Sequence, residues 1–299
     1  MQVVNEIGRT EQANKKLSEA ASAVDPQAGV NNHFECYAPH WERIYDEATL
    51  AGRIYQDRMA MALRWIEQLR LPHTARLLEI GCGAGFATAA LAMRGYRVDA
   101  VDSVDAMLHL TSKRLAKTGA DGRVRVARAD VRHLPMPNDS FDLVFALGVL
   151  PWLDDPLAAV IEMARVTRPG GHVLITVDNS LHIDEIFDPL KAPIFRPLRR
   201  YLASALRAAK LLAPSQLPKI HRHSRGQVDS ILSDVGLDEL WCGMLGFGPL
   251  TLFGKSVLPD SLGIKVHRLL QAAANRNWPI LSYCGMQYVV MSTKRANVH

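Results

Sequence analysis

Three carboxylates and three glycines carry the chemistry that this chain could do. Glu79 stands just before glycines at alternate positions, Gly81, Gly83 and Gly85, with Cys82 between the first two. Glycine has no Cβ and reaches positive φ, so such a turn lets a ligand approach bare backbone. Apolar residues from Ala87 onward open a helix, whose N-terminus adds free N–H groups and partial positive charge. Asp102 and Asp130 close two further short strand-like runs, and each offers paired acceptor oxygens.

The glycine pattern discriminates between ligands. The dinucleotide fingerprint G-x-G-x-x-G needs a third glycine where this chain has Phe86, counted from Gly81, or Thr88, counted from Gly83. An acidic residue ahead of the turn would repel a pyrophosphate, whereas it suits a ligand with a cationic or amine-bearing end. No G-x-x-x-x-G-K-[ST] is present, which argues against a P-loop.

These residues need a sheet to position them. Leu77, Leu78 and Ile80 are too short a run for a helix and predict a buried parallel strand. Strands are expected again at 96–101, 123–129, 141–149, 172–177, 237–245 and 287–292, separated by helices at about 105–117 and 225–234 and a helix opened by Asp155-Pro156. The alternation predicts an α/β fold with one doubly wound, mostly parallel, seven-stranded Rossmann-like sheet and helical cap insertions. Residues 1–30 are expected as a mobile tail, 31–180 as a core with an N-terminal helical cap, 181–225 as a basic helical insertion, and 226–299 as the end of the sheet with a second cap insertion at 246–285. Tyr37, Trp41 and Tyr45, spaced i, i+4, i+8, are expected on one helical face. That face is either core packing or a lid over the ligand.

At 299 residues, 48% hydrophobic and 22% charged, the chain has the composition of a soluble globular protein. The net charge of +5 permits contact with an anionic substrate or surface without requiring one. Four scattered cysteines, no zinc-ligand spacing and no signal-peptide pattern lead to the expectation of a cytoplasmic protein that binds no metal.

Leu78-Glu79-Ile80-Gly81-Cys82-Gly83-Ala84-Gly85 resembles the first motif of the class I S-adenosylmethionine-dependent methyltransferases, of the small-molecule, methyltransferase type 11-like kind. Ala100-Val101-Asp102-Ser103, Ala129-Asp130-Val131 with Phe141-Asp142, and Arg168-Pro169-Gly170-Gly171 resemble the motifs that follow, in order. The resemblance covers about residues 76–177. It implies that S-adenosylmethionine is the cofactor and S-adenosylhomocysteine the product. Gly81, Cys82, Gly83 and Gly85 would run along its methionine part, with Glu79 near the amino end. Asp102 would accept both ribose hydroxyls. Ser103 and Met107 would pack by the adenosine. Asp130 would accept from the adenine amino group and Val131 would offer its N–H. Leu147 and Gly148 would run along the cofactor at the end of the fourth strand.

Many relatives carry a histidine shortly after that strand; this chain has Pro151-Trp152. Trp152 is a substrate wall, a cation–π partner for the sulfonium, or ordinary packing. Tyr37 and Trp41 are the other substrate-side candidates, and the acid/base candidates are His40, Tyr45, His221 and His223. A helix at 196–212, rich in leucine and basic residues, reads as a face toward anionic membrane lipid, as a lid for an anionic acceptor, or as a solvated cap. Nucleic acid is not expected, because stacking aromatics hardly interleave with its charges. The expected reaction is methyl transfer to a hydroxyl or amine of a small-molecule, glycan or lipid-linked acceptor, in the cytoplasm or at the inner membrane face. The competing readings are a non-catalytic cofactor-binding or membrane-associated protein on the same scaffold, and a nicotinamide-dependent oxidoreductase.

Overall fold

The computed structural model describes residues 26–182, 188, 197, 201, 218–253 and 255–296. Apart from residues 197 and 201, the expected 196–212 helix lies outside the described residues, as do most of the basic insertion around it and the first part of the expected tail.

The sheet forms where apolar runs are short and β-branched. Its strands are β1 (Arg76–Ile80), β2 (Arg97–Asp102), β3 (Val124–Arg128), β4 (Phe141–Ala146), β5 (Thr167–Asn179), β6 (Arg222–His223), β7 (Leu237–Leu245), the small hairpin pair β8 (Thr251–Leu252) and β9 (Lys255–Ser256), and β10 (Gln287–Lys294). The main path runs β3-β2-β1-β4-β5-β10-β7, with β6 paired beside β5. β1 to β5 are parallel and β10 is antiparallel to both neighbours. Seven strands on the main path make the expected, mostly parallel sheet, and the two-residue β6 adds an eighth beside β5. Chain order reverses between β1 and β4, and at that point the carboxyl ends of the strands open a crevice.

Strand alternation builds two cores. Leu77, Leu143, Phe145 and Leu174 face one layer, and Leu78, Val144, Ala146 and Ile175 the other. The first layer is α3 (Leu50–Gln68), after α1 (Pro26–Cys36) and α2 (Ala38–Arg43), together with α4 (Phe86–Met93). The second is α6 (Pro156–Val166) and α7 (Arg225–Asp234), while α5 (Asp105–Thr118) covers β2 and β3 and α8 (Asp260–Ala274) packs on α3. Local chemistry sets the helix starts. Thr49 Oγ1 accepts from Gly52 N, Asp155 Oδ1 accepts from Ala158 N ahead of Pro156, and Ser224 and Gln227 close a capping box.

Two regions depart from expectation. α1 begins at Pro26, inside the expected tail. The aromatic trio does not share one helix, because the chain breaks at Tyr37. Pro39 lacks the N–H that a continuous helix would bond to Glu35, so the helix ends and α2 restarts with proline in its first turn.

Candidate active site

β1 delivers the chain to a turn that only glycine satisfies at its narrow points. Gly81 has φ +66°, and a Cβ there would lie 2.3 Å from Val149 Cγ2. A Cβ on Gly85 would lie 2.9 Å from Thr111 Cα. Gly83 is the reverse case: a Cβ there would meet nothing nearer than 4.0 Å, so its bare side faces open space. At the end of β2, Asp102 ties this turn down. Its Oδ2 accepts from Gly83 N and its Oδ1 from Val104 N, both at 3.0 Å. Each oxygen keeps a lone pair for a ligand hydroxyl. Burial pushes the Asp102 carboxyl up, against the pull of the Gly83, Val104 and Ser103 N–H groups.

Glu79 is 3% exposed and faces the same space. Burial raises its carboxyl to about 8, the nearby Asp102 adds to the rise, and the Thr88 hydroxyl, which donates to Oε2, opposes it. Among the described residues this buried acid has no counter-charge, which an ammonium would supply. At the end of β3, both oxygens of Asp130 take the Arg132 guanidinium, and that hydrogen bond chiefly holds the carboxyl below its ordinary range.

These groups line one end of a cavity of about 380 Å³. Glu79, Gly81, Cys82, Gly83, Asp102, Ser103, Met107, Asp130, Val131, Leu147 and Gly148 all border it. Gly85 does not; it turns the chain into α4 from behind. Of the aromatic candidates, Trp41, Tyr45 and Trp152 border the cavity, while Tyr37 is 51% exposed and does not. Trp152 meets Phe34 edge-on at 5.1 Å, and Tyr45 stacks on Phe86 at 4.3 Å. Trp41 Nε1 is buried with no hydrogen-bond partner, a donor left for a ligand.

The histidines fall elsewhere. His40 is exposed on α2, off the cavity lining. Residues 220–223 alternate: Ile220 and Arg222 border the cavity, while His221 and His223 do not. Burial, with His221 beside it, lowers the His223 imidazole. Sequence reasoning passed over Arg58, Tyr55 and Asp178, which also line the cavity, with Arg58 lying against Gly148. Arg58 had a signal, because it interrupts the apolar stripe Leu50, Ile54, Met61, Ala62 of α3 at helical spacing. Asp178 had one too, at the carboxyl end of β5, where sites of open α/β sheets collect. Burial raises its carboxyl, which accepts from Gln287 Nε2 at 3.0 Å. Among the described residues, no three His, Cys, Asp or Glu are grouped to hold a metal. No described helix is long and apolar enough to cross a membrane.

Sheet order, glycine turn and strand-end carboxylates define a class I methyltransferase fold. Residues 78–175, about a third of the chain, match the family model described as a methyltransferase domain. Among curated proteins, 133 residues are 40% identical to the malonyl-(acyl-carrier protein) O-methyltransferase of Halorhodospira halophila, covering 44% of this chain and 42% of that one. A stretch of 146 residues is 29% identical to the ubiquinone biosynthesis O-methyltransferase of Pseudomonas entomophila, covering 49% of this chain and 61% of that one. The chain thus spans about two fifths to three fifths of the length of these relatives. In fold it is similar to magnesium protoporphyrin IX methyltransferase from Synechocystis, solved with S-adenosylhomocysteine, with a TM-score of 0.59 over 90% of this chain and all of that one at 15% identity. The cofactor of such a domain is S-adenosylmethionine, and the residues here fit it. The turn offers bare backbone, Asp102 keeps acceptor capacity, and Glu79 has no counter-charge among the described residues.

Proposed function

We propose that the chain is an S-adenosylmethionine-dependent methyltransferase acting on an oxygen or nitrogen of a small-molecule acceptor. The observation that carries this reading is a single cavity lined by the glycine turn, by Asp102 and Asp130, and by Asp178 at the end of β5. A cofactor and an acceptor can lie end to end in it. The names of the curated relatives support oxygen as the accepting atom, since both are O-methyltransferases.

In this reading Gly81, Cys82 and Gly83 offer backbone to the methionine part of the cofactor, and Glu79 faces its ammonium. Asp102 takes the ribose hydroxyls, with Ser103 and Met107 beside the adenosine. Asp130 and Val131 border the adenine, and Leu147 and Gly148 flank the cofactor on the β4 side. The cofactor supplies an already activated methyl group, so the protein's work is alignment and exclusion of water. Phe34 and Trp41, packed with Val104 and Met107, wall the cavity on the adenosine side, and Trp152 borders it beside Phe34. Where the nucleophile carries a proton, Asp178 is the carboxylate placed to accept it. Its raised pKa makes it a better base than an exposed aspartate. Tyr45, whose hydroxyl accepts from Arg58 Nη2 at 3.3 Å, is a second polar group on the cavity wall, stacked on Phe86 beside the glycine turn.

Calorimetric titration tests the cofactor half. S-adenosylmethionine should bind and NADH should not. No binding of the former by folded protein overturns the proposal. Transfer of labelled methyl into cell-extract fractions, lipid and aqueous kept separate, then identifies the acceptor class. Label in the lipid fraction is the outcome that supports a lipid-linked acceptor and membrane contact through 196–212.

A further inference from the structure

We propose that the outward face of α8, with the β8–β9 hairpin before it and the turn after it, docks the protein on a bilayer that contains anionic phospholipid. The inference goes beyond the methyl-transfer reading and stands without it.

α8 buries Gly263, His267, Gln271 and Ala274. Its opposite side carries Leu262, Lys265, Arg268, Leu269 and Ala272, all exposed. Leu269 is 72% exposed. The turn that follows exposes Trp278, Ile280 and Tyr283, and Ile280 reaches 77%. Ahead of α8, the hairpin exposes Leu252 and, at its tip, Phe253, with Val257 just after it. Backbone bonds tie these pieces to the helix. Val257 N donates to Leu250 O, Leu262 N to Pro259 O and Trp278 N to Ala273 O. A single exposed leucine is ordinary, but three successive elements that expose large apolar side chains mark a surface with a partner.

Charge selects that partner. Residues 250–285 hold Lys255, Lys265, Arg268 and Arg276, all exposed, against one acid, Asp260. Asp260 already serves the fold, since its Oδ1 accepts from Leu50 N. None of the four basic side chains forms an ion pair among the described residues. Aromatic and aliphatic side chains among lysines and arginines suit a bilayer interface. The apolar groups sink toward the acyl chains and the basic heads stay with the phosphates. Anionic lipid adds attraction for each basic group. A second copy is a poor fit, because a two-fold interface would set this basic face against itself.

The surface also adjoins the cavity. Asn179, next to Asp178 on β5, donates from Nδ2 to Tyr283 O and Gly285 O, both at 2.8 Å. Met286 and Gln287 come next in the chain and border the cavity. Ile220 borders it too and is 40% exposed, so the cavity reaches the surface there.

The test floats the full chain with vesicles of phosphatidylcholine, alone or with phosphatidylglycerol added. The wild type should bind the anionic vesicles about tenfold or more better than the neutral ones at low salt. Lys265→Gln/Arg268→Gln should lose about 25-fold in affinity, about fivefold for each basic side chain at an anionic surface. Phe253→Ser/Trp278→Ser/Ile280→Ser should lose the binding that high salt leaves in the wild type. Phosphatidylglycerol brominated on its acyl chains should quench the tryptophan fluorescence of the wild type, and that of Trp278→Phe distinctly less. Circular dichroism checks that each variant is folded. Absence of wild-type flotation overturns the inference, whether the protein then sediments as monomer or as dimer. Equal quenching of the wild type and Trp278→Phe overturns it too. So does flotation that is lost in Arg199→Glu/Arg200→Glu and kept in both surface variants, which moves the contact to the basic insertion. If the serine variant does not fold, the comparison with Trp278→Phe decides.

Discussion

Glu79→Gln isolates the most perturbed carboxyl of the site. The substitution keeps the side chain's size and removes its titration. In the wild type, burial holds the group at about 8. The ionised fraction of the unliganded protein is then about one half at pH 8 and about one hundredth at pH 6. A cofactor ammonium beside Glu79 binds the ionised form, so binding expels a proton over this range. Affinity for S-adenosylhomocysteine should fall about fifty-fold between pH 8 and pH 6. Calorimetry in buffers of different ionisation heat should show about one proton released near pH 6. Glu79→Gln should bind more weakly at pH 8, with almost no slope below it and no Glu79 proton released. The same carboxyl has a sign in stability. Its pKa is raised on folding, so its contribution is fully present below the ordinary carboxylate range and is lost as pH rises through about 8. Without ligand, Glu79→Gln should therefore gain melting temperature over the wild type as pH rises. A wild-type affinity that does not change between pH 6 and pH 8, or a Gln variant with the wild-type slope, refutes the placement of the cofactor's ammonium at Glu79.

Two further substitutions probe the turn. Gly81→Ala puts a Cβ against Val149 at a strained φ and should lose cofactor binding in calorimetry; pairing it with Val149→Ala relieves the clash but not the strain, so recovery should be partial. Asp102→Asn leaves one carbonyl oxygen to serve the Gly83 and Val104 N–H groups and the ribose together. Cofactor affinity should fall about 10- to 100-fold and the melting temperature should drop as well, whereas an unchanged affinity would remove Asp102 from the ribose site.

The two ends of the cavity were not equally legible in the sequence, for a physical reason. The cofactor end is built from local rules. A strand, a positive-φ turn and a helix N-terminus need particular residues at consecutive positions, so Glu79, Gly81 and Gly83 could be read without knowing what lies opposite. Asp102 and Asp130 follow from the same logic, since strand ends gather at the switch point of the sheet. The rest of the cavity is assembled from distant segments. α1, α3, the end of β5 and residues 220–222 meet there, and no local spacing records their meeting. The histidines around Arg222 show how this misleads. They attracted attention by residue type, yet a chain that alternates in direction presents Arg222 to the cavity and not its neighbours. Tyr37 shows the same limit, because a single proline two residues on turned its side chain out of the face it was expected to share. Arg58 is the exception that local pattern could have found. A charged residue on the apolar stripe of an amphipathic helix is a departure from the pattern that marks a position facing something other than core.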